Sequence, residues 1–199
     1  MNSMGDFMKT SLTILKAFLG IARLLGIAGA QQSGSEKKQV APEMQAPKPG
    51  PEMERLRFLI GAWDVRGECE KTPLTGEGGK QTGWYKVQLG PGGFSILSDF
   101  AAEGPLGTEI GHEIITWDPK SDAYTTVTIG NNFPGALIGK ARWEGKNLVT
   151  RAEFEMAGAV IHNRAVYSHV GEKTLQIEES IQMGDAPYEL LWKASAAKK

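Results

Sequence analysis

The sequence offers few residues able to do chemistry, and the most informative is a carboxylate in an apolar register. Glu179 shares strand parity with Leu175, Ile177, Ile181 and Met183, so an acid stands where a period of two demands an apolar side chain. A charge on a buried face must be paired or protonated. Arg164, one hairpin earlier, is the obvious partner, and an internal Arg164–Glu179 pair is one expectation. The other is a bulge near Glu178 and Glu179 that turns both carboxylates outward. Glu179 is also the one acid or base that the pattern exposes for a catalytic role.

His162, Arg164 and Val166 fall on one face of their strand, and Asn163, Ala165, Tyr167 and His169 on the other. Turned inward, His162 and Arg164 would form the polar pair that orients a ligand in an apolar pocket. Turned outward, Arg164 is solvated and His162 half-buried, as such residues most often are. His112 and Glu113 are adjacent and so point to opposite faces, which keeps them from acting on one ligand. Cys69 is the single cysteine, which rules out an intrachain disulfide and a Cys-x-x-Cys site. No His-Glu-x-x-His, Gly-x-Ser-x-Gly or phosphate-loop motif occurs. Gly76-Glu77-Gly78-Gly79-Lys80 reads as a glycine-rich hairpin, because no helix pattern follows it. No metal and no cofactor are expected.

The elements that must position these residues are strands. Trp63, Val65, Gly67 and Cys69 alternate with Asp64, Arg66, Glu68 and Glu70, and Leu148 to Met156 alternates in the same way. Shorter versions run through Tyr85-Val87-Leu89, Phe94-Ile96-Phe100, Ile115-Trp117, Val127-Ile129 and Tyr188-Leu190-Trp192. Glycine-, Asp- and Asn-rich turns separate them at hairpin spacing. The expectation is an all-β domain, an antiparallel up-and-down barrel of about ten strands, with a β-sandwich as the competing topology. A barrel of that size can hold one small ligand if large side chains do not fill it. Ahead of the strands, Pro51 opens a short helix over Glu52 to Phe58 that packs through Leu56, Leu59 and Ile60.

The N-terminal part reads differently. Residues 1–30 carry Lys9, an apolar run from Leu12 to Ile27 and Ala28-Gly29-Ala30, the pattern of a cleaved export signal. Lys16 and Arg23 interrupt the run, so an uncleaved amphipathic helix is the alternative, and a membrane-spanning helix is not expected. Residues 31–50 are polar and proline-rich, a flexible tether. Removing residues 1–30 takes away Lys9, Lys16, Arg23 and Asp6, which moves the formal charge from −1 to −3. No basic excess is present, so no nucleic-acid partner is expected.

Leu59-Ile60-Gly61-Ala62-Trp63, Ile115-Thr116-Trp117-Asp118-Pro119 with Tyr124, and Trp143-Glu144-Gly145 carry a resemblance. The Gly-x-Trp resembles the lipocalin and calycin signature. The set as a whole, over residues 51–195, is similar to an uncharacterised bacterial lipocalin-like family, domain of unknown function 1579. The resemblance implies a barrel, often in exported proteins, and no agreed activity. In lipocalins a basic residue of the last strand covers the motif tryptophan, and Lys193 is the nearest candidate here. The haem-binding nitrobindin group places a histidine near its C-terminus, and residues 170–199 contain none.

The leading functional expectation is a periplasmic or secreted binding protein for a small apolar or amphipathic molecule. Its site is drawn from Trp63, Phe154, His162, Arg164, Glu179, Tyr188 and Trp192. The alternatives are an enzyme using Glu179 as acid or base, and a filled barrel serving as a structural module. Oligomeric state is not legible in the sequence.

Overall fold

The computed structural model describes residues 47–156 and 158–199. The expected signal segment, and all of the tether except residues 47–50, lie outside the described residues. Ten strands follow in order: β1 (Gly61–Cys69), β2 (Gly79–Leu89), β3 (Ser95–Gly104), β4 (Gly107–Asp118), β5 (Ala123–Gly130), β6 (Leu137–Glu144), β7 (Asn147–Met156), β8 (Ala159–Gly171), β9 (Thr174–Met183) and β10 (Glu189–Lys198). Each pairs antiparallel with the next, and β1 pairs with β10, from Trp63 opposite Lys198 to Cys69 opposite Trp192. The barrel is therefore closed and up-and-down. Closure satisfies every sheet edge, which a sandwich would leave to its borders.

One end is plugged by the segment before β1. Helix α1 (Pro51–Glu54) stops after one turn, and a second, tighter turn covers Arg57–Leu59. The expected single helix breaks because the core demands a spacing of three: Met53, Leu56 and Leu59 are all buried, Leu56 completely. Residues three apart line up in 3-10 geometry, and the bonds Leu56 N–H to Met53 O and Leu59 N–H to Leu56 O have that i to i−3 form. The polar groups of the plug find partners. Trp63 Nε1 donates to Leu59 O at 2.7 Å, Tyr124 Oη to Glu52 O at 2.8 Å, and Trp143 Nε1 to Tyr124 Oη at 3.2 Å. The basic group over the Trp63 ring is Lys198, 5.3 Å from its centroid. Lys193 points outward, 3.8 Å from Glu178.

Two strand readings change. Val127 and Ile129 face outward on β5, Ile129 well exposed, while Tyr124 and Thr126 are buried. Both faces of β5 are rich in β-branched residues, so hydrophobicity does not set parity; the register against its neighbours does. Val127 sits between Ile114 and Ile138, both exposed, and Thr126 pairs with the buried Ile115. Phe94 is exposed because the chain turns through Pro91–Gly93 before β3 begins, so it never joins the face of Ile96 and Phe100.

Candidate ligand-binding site

Above the plug the interior opens into a cavity of about 410 Å³, within the range of roughly 300–1,000 Å³ found for small-molecule sites. A smaller, apolar space of about 40 Å³ separates it from Leu59 and Trp63, and Tyr85 and Glu113 line both. At the mouth stand Leu74, Leu106 and Phe133 from the β1–β2, β3–β4 and β5–β6 connections. The β1–β2 connection is held by Thr72 and Thr75, both buried, whose hydroxyls lie 2.9 Å apart. The glycine-rich stretch at its end turns through positive φ at Gly76 and Gly78, as a hairpin connection requires.

Strand parity decides what enters the cavity. From β2 comes Tyr85, from β3 Phe100, from β4 Glu109 and Glu113, from β7 Phe154, and from β8 to β10 Asn163, Glu179 and Trp192. Trp192 leans across Gly67. A Cβ there would stand 2.6 Å from its Nε1 and 2.4 Å from Lys193 O, so only glycine leaves room for the ring. That indole N–H is a buried donor without an acceptor among the described residues.

The carboxyls are poorly compensated. Burial pushes the Glu113 carboxyl up to about 7, with no side-chain hydrogen bond or countercharge among the described residues opposing it. Glu179 is raised by burial, which a hydrogen bond from the Asn163 amide only partly offsets. Glu109 is raised by burial as well, against an Asn132 Nδ2 donor at 3.0 Å. Burial also drives the Tyr85 and Tyr167 hydroxyls well above their ordinary range, so both stay neutral. Cys69 is raised by burial first and the Glu179 charge second. Its thiol donates to Gln81 Oε1 at 3.3 Å, the setting of an unreactive cysteine.

The structure gathers some of the expected residues and disperses others. Phe154, Glu179 and Trp192 line the cavity, and Trp63 closes the smaller space beneath it. His162 and Arg164 face outward, His162 at 3.2 Å from Glu153 and Arg164 at 4.0 Å from Glu144. The internal Arg164–Glu179 pair is therefore absent. Asn163, on the opposite parity, takes the place given to the arginine. The bulge expected beside Glu179 lies instead on β10, between Leu190 and Trp192. One extra residue there reverses parity, so Tyr188 ends exposed in the turn before β10 rather than beside Trp192.

The residues missed in the sequence are Glu109, Glu113, Tyr85, Asn163 and Tyr167. A signal existed for the acids: both share parity with Ile115 and Trp117. It is masked because the outward positions of the same strand hold Ile110 and Ile114, which makes the outer face of β4 look like the core.

Neither a family model nor a curated protein matches the chain. Among solved structures it is similar to Rv2717c from M. tuberculosis, at 12% identity and a TM-score of 0.51, over 76% of this chain and 99% of that one. Two weaker likenesses are EF1p2_mFAP2b bound to DFHBI and the S-type phycobiliprotein lyase CPES from Guillardia theta. The first has 9% identity and a TM-score of 0.41, over 74% of this chain and 98% of that one. The second has 8% identity and a TM-score of 0.46, over 75% and 91%. At 12% identity the likeness to Rv2717c concerns the fold alone and nothing of what the barrel holds.

Proposed function

We propose that this protein is an exported member of the uncharacterised lipocalin-like family, domain of unknown function 1579, that binds one small amphipathic molecule inside its barrel. The observation that carries the reading is the cavity of about 410 Å³, apolar and aromatic over most of its wall, with a few polar groups converging on it. A barrel serving only as a scaffold would fill that space with side chains, since packed interiors leave few voids larger than a water molecule. Polar groups also cost stability unless something hydrogen-bonds them, and here Glu113, Tyr85 and Tyr167 face the interior with no side-chain hydrogen bond from the described residues. The export part of the reading rests on Lys9, the apolar run and Ala28-Gly29-Ala30.

Native mass spectrometry of the protein purified from its own cells tests both parts. A reproducible small-molecule adduct that is lost on denaturation, on a chain whose N-terminus is Gln31, is the expected result. A bare polypeptide mass, unchanged after incubation with an extract of those cells, would sink the binding reading. A chain still beginning at Met1 would sink the export reading.

A further inference from the structure

The barrel interior is charged with one sign. Among the described residues, those lining its two spaces include Glu109, Glu113 and Glu179 and not one Lys, Arg or His. We propose that the molecule held in the barrel is an organic cation, a protonated amine or amidine on an apolar body, whose charge is received by Glu113 with Glu109 and Glu179 above it. This rests on the reading of the barrel as a binding site and narrows it to a ligand class.

The geometry favours that class over its competitors. Glu113 reaches both the main cavity and the smaller space beneath, so it stands at the floor, where a ligand's end group comes to rest. An anionic ligand would bring like charge toward three carboxyls in a medium of low dielectric, where repulsion is strongest. A metal ion needs several ligands around one point, and no three His, Cys, Asp or Glu side chains among the described residues converge in that way. Glu109 and Glu113 are four residues apart on one strand, roughly 13 Å, which suits an extended molecule and not a bare ion.

Two independent features fit a ligand with an apolar body and a charged nitrogen. Tyr85, Phe100, Phe154 and Trp192 present aromatic surface to the cavity, with Tyr85 and Phe100 rings 5.7 Å apart, and aromatic faces attract cations. The polar groups left over are also ones a ligand can use: the Tyr85 hydroxyl accepts from an ammonium, and the buried Trp192 N–H, without an acceptor among the described residues, donates to any acceptor that the body carries.

Binding is then linked to protons. The titratable groups that line the two spaces with Glu113 are Glu109 on its own strand, Cys69 on β1, Glu179 on β9, and the neutral Tyr85 and Tyr167 on β2 and β8. With no basic group among them, arrival of a cation favours the ionised carboxylate and expels a proton wherever the free protein holds one.

The test is calorimetric titration of the full chain at about pH 8 with three probes of one shape: naphthylmethylamine, naphthylmethanol and naphthoic acid. The amine is expected to bind about tenfold or more tighter than the alcohol, as a charge-assisted hydrogen bond to a buried carboxylate implies, and the acid weakest. Repeating the titration near pH 6.5 in two buffers of different ionisation enthalpy is expected to reveal proton release with the amine and none with the alcohol. Glu113→Gln should bring the amine down to the alcohol's affinity. If the alcohol or the acid binds as tightly as the amine, the cation proposal falls and the barrel remains a binder. If none binds while the purified protein carries an adduct, the cation proposal falls alone; if none binds and no adduct exists, both readings fall.

Discussion

The two ends of the barrel are built by the same ten strands and obey opposite rules. At the plugged end the central side chains are buried and their polar groups are paired: Leu56 and Trp63 lie at 0% and 2% exposure, the Trp63 and Trp143 indoles both donate, and Tyr124, at 1%, both donates and accepts. At the other end neither Glu113 nor Trp192 Nε1 has a hydrogen-bond partner among the described residues, and a cavity stands where the core would continue. Unsatisfied buried groups cost stability, so a chain that keeps them in one half and removes them from the other separates the task of holding the fold from the task of binding.

The sharpest test of that separation is at the plug. Leu56 is wholly buried and lines neither interior space. Leu56→Ala is expected to cost about 3 kcal/mol, as large-to-small changes in a packed core do, and to lower the urea midpoint accordingly. Affinity for an interior ligand should stay within twofold of wild type, about the scatter expected between distant, independent sites. A variant that loses ligand affinity while still folded would mean that plug and cavity act as one unit.

The opposite sign is expected at the cavity. The Glu113 carboxyl moves from its ordinary 4.5 to about 7 on folding, so between those values the native state binds more protons than the unfolded chain. Stability contributed by this group therefore falls as pH rises through that window. Glu113→Gln removes the penalty while the buried amide contributes equally at every pH, so the stability of the variant relative to wild type should be about 3 kcal/mol higher above pH 7 than below pH 4.5. Glu109 and Glu179 are raised in the same direction, and because they remain in both proteins the difference between the two stability curves isolates Glu113. A destabilised variant at high pH would make the carboxyl a structural element and erase the contrast between the two ends.

How far this contrast could be read in the sequence depends on what sets each residue's direction. The strands, their number and their antiparallel order were legible, because alternation and turn residues are local. Phe154 lies on the inward face that parity gives it, Glu179 follows the inward one of the two readings left open for it, and Trp192 faces inward although its expected companion Tyr188 does not. The reading failed where parity is fixed by a neighbour. The extra residue in β10 moved Tyr188 out, the pairing of β5 with β4 and β6 turned Val127 outward, and the exposed Ile110 and Ile114 concealed Glu109 and Glu113 on the back of their strand. A row of apolar residues on the outside, Leu97, Ile114, Val127 and Ile138 in direct register across β3 to β6, produces the same period as a core face. Period alone cannot say which face is which.

Arg164 is where that ambiguity matters most for function, since the same parity argument places it either on the ligand or on the solvent. In the structure its guanidinium is 4.0 Å from Glu144, about a third exposed, and Glu144 already accepts from Arg151 at 2.5 Å. A second, longer contact to a carboxylate that is engaged and solvated contributes little, in the range of roughly 0–1 kcal/mol for surface pairs. Arg164→Ala is accordingly expected to shift stability by no more than about 0.5 kcal/mol and to leave the affinity of the amine probe unchanged. An Arg164 inside the barrel would give the reverse: deleting it would leave Glu179 without its countercharge and change binding sharply. One denaturation curve and one titration on this variant thus decide whether the inward face of β8 is the one bearing Asn163, and with it whether the interior holds acids alone.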